Sequence, residues 1–135
     1  MNTQLQKPHI LVVEDHSIFR RFLLSWLSRW YTVTAVSNGF DALRWLQEGN
    51  KTDAILLDMQ MPRLSGLQFL RNIRSSGMFS AIPVVGLTSS LTQEIKARCA
   101  DFGVMDVFPK PYQPETLLGA INAAVGHSRS DLMAA

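Results

Sequence analysis

The stretch from Ala54 to Gly66, AILLDMQMPRLSG, decides how this chain is read. Ala54 to Leu57 form an unbroken apolar run that stops at Asp58. So short and continuous a run fits a strand buried on both faces, as in a parallel sheet. Pro62 and Gly66 then mark a loop, after which Leu67, Leu70 and Ile73 recur at helical spacing. Strand, acid, loop and helix make one unit, and the rest of the chain repeats it.

Upstream, His9 to Val13 is a second buried-strand run, ending at Glu14-Asp15. Ser17 opens a stretch without Gly or Pro in which Phe19, Leu23, Trp26, Leu27 and Trp30 share a helical stripe. Tyr31 to Val36 is rich in β-formers and closes at the turn Ser37-Asn38-Gly39. Ala42, Leu43, Trp45 and Leu46 make a short helix ended by Gly49-Asn50. Downstream, Ile82 to Leu87 is a strand ending at Thr88-Ser89-Ser90, and Leu91, Ile95, Cys99 and Phe102 give a helix stripe. Val104 to Phe108 is a fifth strand stopped by Pro109-Lys110-Pro111. Pro114 suits the first turn of a last helix carrying Leu117, Ile121, Ala124 and Val125. Residues 127–135 read as a tail without structure. Five strands alternating with five helices predict an α/β fold, a doubly wound parallel sheet covered on both faces.

Composition agrees. The chain has 135 residues, 47% hydrophobic and 18% charged, which suits one globular domain and excludes a disordered or collagen-like chain. The single Cys99 cannot form an internal disulfide, which fits a reducing compartment. No apolar run is long enough to span a membrane, and the polar first eight residues lack a signal-peptide core. The expectation is a soluble, cytoplasmic domain. The formal charge of +2 comes from bases scattered along the chain, without the tract or face expected of a nucleic-acid binder.

In doubly wound sheets the ligand site lies at the carboxyl ends of the strands. Those ends carry Glu14 and Asp15, Asp58, Thr88 and Ser89, and Lys110. Carboxylates brought together repel and raise one another's pKa unless a cation neutralises them. Oxygen donors suit Mg²⁺, which keeps several of its waters. An ammonium and a hydroxyl beside them can bind phosphoryl oxygens, and a carboxylate nucleophile yields an acyl phosphate. Asp58, which ends the central strand, is the natural acceptor.

At these residues the chain resembles the receiver domain of two-component response regulators, of the kind found in chemotaxis response regulators. The matching pieces are ILVVEDH, ILLDMQMPRLSG, VVGLTSS and PKPY, in that order. The resemblance covers about residues 8 to 126, between an N-terminal tail (1–7) and a C-terminal tail or linker start (127–135). It implies a flavodoxin-like sheet of strand order 2-1-3-4-5. It also implies that Asp58 accepts a phosphoryl group from a phosphohistidine of a sensor histidine kinase or histidine phosphotransfer protein. Asp15 and Asp58 would ligate Mg²⁺ (or Mn²⁺) directly, Glu14 largely through a water, and Gln60 by its backbone carbonyl. Lys110 and Thr88 would bind phosphoryl oxygens, and the Lys110-Pro111 bond would be cis. Such a protein catalyses only its own aspartyl phosphorylation and dephosphorylation. Its output goes to a downstream protein or output domain, without direct contact to nucleic acid or membrane. With no output segment after residue 126, the expectation is a stand-alone receiver or one excised from a longer chain.

The chain departs from the family at the switch. The aromatic residue usual three positions before the lysine is Val107 here, and the aromatic stands one step later at Phe108. One step along a strand reverses the face, so Phe108 is expected on the opposite side from the usual switch position. Ser89 stands where Ala is most frequent, and Gln60 and Ser90 flank the acceptor. On the first helix, Ile18, Phe22, Ser25 and Arg29 form a second stripe. Ile18 and Phe22 are candidates for an apolar docking patch, with a wide buried helix face as the alternative. The rival function is an aspartyl-phosphate phosphatase of the haloacid-dehalogenase type. That class needs a second Asp two residues after its nucleophile, where this chain has Gln60, and an amide cannot act as a general acid. A degenerate, binding-only receiver would require loss of a site residue.

Overall fold

The computed structural model describes residues 7–61 and 63–134, the side chains of 130–134 excepted. Pro62, part of the loop expected after Asp58, and most of the expected N-terminal tail lie outside the described residues. The order of elements is β1 (His9–Val13), α1 (Ser17–Leu27), β2 (Thr32–Val36), α2 (Gly39–Gln47), β3 (Ala54–Asp58), α3 (Gly66–Arg74), β4 (Val84–Thr88), α4 (Gln93–Asp101), β5 (Asp106–Pro109) and α5 (Pro114–Ala134). All four strand pairings are parallel, in the order β2-β1-β3-β4-β5.

Strand alternation divides the interior into two cores. Leu11, Val13, Ile55, Leu57 and Val84 pack with Ala42 and Leu46 of α2, Phe69, Leu70 and Ile73 of α3, and Cys99 of α4. Ile10, Val12, Leu56, Val85 and Leu87 pack with Leu23 and Leu27 of α1 and with Leu117, Ile121 and Ala124 of α5. Cys99 is buried, as its place on an apolar stripe predicts.

Several boundaries differ from the sequence expectation, each for a local reason. α1 begins at Ser17, where the sequence opens it, and its N-cap is His16, whose Nδ1 accepts from Phe19 N–H at 3.3 Å. That helix stops at Leu27, where the Ser28 hydroxyl donates to Leu24 O at 2.6 Å. Trp30 therefore falls outside the helix and is exposed, off the core stripe assigned to it. β4 begins after Pro83, which has no N–H for the ladder. Val104 precedes β5 and instead caps α4, donating its N–H to Cys99 O at 3.0 Å.

The largest difference is α5, which runs to Ala134 rather than ending at residue 126. A lone glycine such as Gly126 weakens a helix by only about 1 kcal/mol, and Arg129 anchors the extra turns. Its Nη2 lies 3.2 Å from Asp53 Oδ2, and the same oxygen accepts from His9 N–H at 2.8 Å.

At the opposite end of α3, Arg74 donates to Phe102 O and Ile82 O, both at 2.7 Å, joining this helix to the corners beside β4 and β5. Gly66 begins α3 because nothing larger fits. A Cβ there would lie 2.6 Å from Met59 Cα. That close approach brings the β3–α3 loop back over the end of β3.

Candidate functional site

The carboxyl edge of the sheet gathers the predicted residues. Glu14 continues β1 by one residue, donating its N–H to Val36 O at 3.0 Å, and its side chain is buried. One Glu14 oxygen accepts from Lys110 Nζ at 3.0 Å, the other from His16 N–H at 3.1 Å. Arg20 Nη1 donates to the carbonyls of Glu14 and Asp15, at 3.0 and 3.2 Å, and fixes the loop between β1 and α1. Asp15 is exposed.

Asp58 ends β3 and is 3% exposed. Its Oδ1 accepts from Gln60 N–H at 3.0 Å, and its Oδ2 lies 3.3 Å from Lys110 Nζ. Thr88 ends β4 and is fully buried, its hydroxyl oxygen accepting from Ser90 N–H at 3.2 Å. Lys110 is held by its own backbone, which donates to Thr88 O at 2.8 Å, and the Lys110-Pro111 bond is cis. Its ammonium lies 5.0 Å from the centroid of the Phe19 ring. Beside it, an open groove of about 430 Å³ is lined by His16, Phe19, Lys110 and Pro111.

The electrostatics follow from crowding. Carboxylate oxygens of Glu14, Asp15 and Asp58 lie within 4.8 Å of one another. Asp58 is pushed up to about 7, first by burial and further by the charge of Glu14 and a hydrogen bond with Asp15. The Gln60 N–H and the Lys110 ammonium pull the other way. Three acids facing one ammonium leave negative charge uncompensated, and the donors are all hard oxygens. This set fits a divalent cation of the Mg²⁺ type.

The switch position also resolves. The β4–β5 register pairs Gly86 with Val107 and Leu87 with Phe108 in regular succession. Val107 packs on the side of α2, α3 and α4, and Phe108 on the side of α1 and α5. The face reversal expected from the one-step offset is thus present. Ile18 and Phe22 are 72% and 51% exposed, which removes the alternative of a wide buried face on α1.

Three site neighbours were not singled out by the sequence. Helical spacing places Phe19 only on the core stripe, yet its ring faces the Lys110 ammonium. Arg20 reads as one base among many until its carbonyl contacts are seen. Tyr112 packs against Phe19 and Trp26, with ring centroids 5.8 and 6.1 Å apart. Its hydroxyl is pushed up to about 12 by burial and by the charge of Glu14. Its position directly after Lys-Pro was the one available signal.

A doubly wound sheet with acids, hydroxyl and ammonium gathered at the carboxyl ends of its strands defines a class of small α/β domains with a polar ligand site at that edge. Comparison with known proteins narrows the class. Residues 10–122 match the response regulator receiver domain family. The chain is 38% identical over 122 residues to the transcriptional regulatory protein YkoG of Bacillus subtilis, covering 90% of this chain and 52% of that protein. It is 38% identical over 109 residues to the sensor histidine kinase RcsC of Salmonella typhimurium, covering 80% of this chain and 11% of that protein. Among solved structures, the chemotaxis protein CheY4 of Vibrio cholerae superposes with a TM-score of 0.80 at 26% identity, over 87% of this chain and 98% of that one. The chain belongs to the response regulator receiver domain family, the signalling switch of two-component systems. It spans about half the length, or much less, of the curated relatives it matches. No helix among the described residues is long and apolar enough to cross a membrane.

Proposed function

We propose that Asp58 is the phosphoacceptor, receiving a phosphoryl group from a phosphohistidine on a sensor histidine kinase or histidine phosphotransfer protein. One observation carries this reading. Of the three clustered acids, Asp58 is the one that ends β3 opposite Leu87, beside Thr88, while it also lies 3.3 Å from the Lys110 ammonium that it shares with Glu14. The receiver unit is taken as residues 8–126, with α5 continuing past it to Ala134, and a cytoplasmic location accompanies the reading.

The chain's own residues do the following. Asp58 presents a carboxylate oxygen for in-line attack on phosphorus. Lys110 supplies a point charge to a phosphoryl oxygen, and Thr88 donates a hydrogen bond to another. Glu14, Asp15 and Asp58, with the Gln60 backbone carbonyl, would hold Mg²⁺ or Mn²⁺. Bound there, the ion neutralises negative charge on the carboxylates and the transferred group. Gln60 offers no acid two residues after Asp58, so the phosphatase reading lacks its proton donor. The protein therefore catalyses only its own phosphorylation and the hydrolysis that reverses it. Ile18 and Phe22 form the apolar docking patch for the histidine-bearing partner, and output passes to a downstream protein or a linked domain. With Val107 unable to rotate as an aromatic does, that output relies on the loop following Thr88.

The test is intact-mass measurement after incubation with acetyl phosphate. The expected result is a Mg²⁺-dependent gain of one phosphoryl group, absent from Asp58→Asn. A gain of equal size in the variant would refute Asp58 as the acceptor.

A further inference from the structure

Two loops border Asp58, one joining β3 to α3 and the other joining β4 to α4, and a single side chain connects them. Gln60 Oε1 accepts from Ser89 N–H at 2.6 Å and also from the Ser89 hydroxyl. The Gln60 backbone N–H meanwhile donates to Asp58 Oδ1. Gln60, Ser89 and Ser90 are exposed, whereas Asp58 and Thr88, the strand ends from which their loops depart, are buried. Gln60 thus touches the acceptor carboxylate with its main chain and the facing loop with its side chain.

A phosphoryl group on Asp58 brings about two negative charges and three oxygens, each needing donors. Lys110 and the Thr88 hydroxyl supply two. The next donors along the β4–α4 loop are the N–H and O–H of Ser89, and both are engaged by one carbonyl oxygen of Gln60. We propose that the Gln60 side chain is a latch on the phosphoryl site. Its amide oxygen occupies the Ser89 donors in the unmodified protein, and they must be released before a phosphoryl group can take them. Gln60 is in this sense a positioning residue, acting through Ser89. The inference rests on Asp58 being the acceptor.

With acetyl phosphate as donor, an Asp58 oxygen forms a bond to phosphorus while the bond from phosphorus to the bridging oxygen breaks. Its electron pair leaves on acetate, and Asp58 becomes the acyl phosphate. The latch opposes this step by the strength of the contact that must break. Gln60→Met keeps the side-chain length and removes the strong acceptor. We expect it to be phosphorylated by acetyl phosphate about five-fold faster than the parent, and to bind beryllofluoride tighter by a similar factor, the weight of one hydrogen bond. Ser89→Ala removes one latch contact together with one donor to the phosphoryl group, so its own rate change is smaller than that of Gln60→Met. Because both variants break one contact, their combination falls short of the product of the separate effects. A purely structural role for Gln60 would not produce that coupling.

Equal or slower phosphorylation of Gln60→Met, or fully multiplicative effects, overturns the latch while a modified parent chain leaves the acceptor reading intact. If neither chain gains a phosphoryl group, both proposals fail. If only Gln60→Met gains one, and Asp58→Asn in that background abolishes it, both stand.

Discussion

Asp58 carries opposing demands that pH can separate. Its carboxyl is raised from 3.8 to about 7, chiefly because burial disfavours the charged form. A group whose folded pKa exceeds its unfolded one binds its proton more tightly in the native state. The stability it contributes is complete below about pH 4 and is lost as pH rises through about 7. In chelator, Asp58→Asn replaces this carboxyl by a neutral isostere and should be the more stable protein at pH 7.5, by on the order of 2 kcal/mol. The gap should shrink toward pH 4, and denaturant titrations at the two pH values read it directly. A variant less stable than the parent at pH 7.5 would show that Asp58 is not strained when ionised. Asp58, Thr88 and Lys110 were legible because polar residues ending apolar strands stand out against them. The Gln60 bridge to Ser89 was not, since two loop residues 29 positions apart have no periodicity to link them.

At the scale of elements, α1 carries large apolar side chains on its exposed face as well as on its buried one. Leu23 and Leu27 are fully buried, while Ile18 and Phe22 lie in the open, Phe22 stacked on Trp26 with centroids 6.2 Å apart. Phe22→Ala removes only the half-exposed stack on Trp26, so the fold and the acetyl phosphate reaction should be unaffected. Transfer from the cognate phosphohistidine should slow by about ten-fold, as expected for loss of an aromatic anchor. Rates measured with both donors distinguish the two, and an unchanged partner-dependent rate would remove the docking patch. The ten elements among the described residues were visible in the sequence, because strands buried on both faces read as short unbroken apolar or β-rich runs and helices as stripes of period 3.6. Their ends were less visible. His16 as a cap, the start of β4 after Pro83, Val104 as the stop of α4 and the extension of α5 all depend on backbone partners. Arg129 had no visible reason to meet Asp53, 76 positions away.

For the whole molecule, fold class and the edge bearing the site followed from alternation and the right-handed crossover, while the strand order entered through family resemblance. The order β2-β1-β3-β4-β5 has a consequence for how the chain assembles. β1 is flanked by β2 and β3, so three adjacent strands, with both of their pairings, lie within residues 9–58. During synthesis this segment emerges before β4 and β5, and it can begin to pair before they exist. Asp58, the proposed acceptor, closes that early segment, but Thr88 and Lys110 lie at the ends of β4 and β5, added afterwards. The cluster is thus complete only once β4 has joined β3 and β5 has joined β4. Pulse-labelled hydrogen exchange during refolding should find amides of β1 and β3 protected before those of β5. Simultaneous protection would indicate that the sheet forms in a single step.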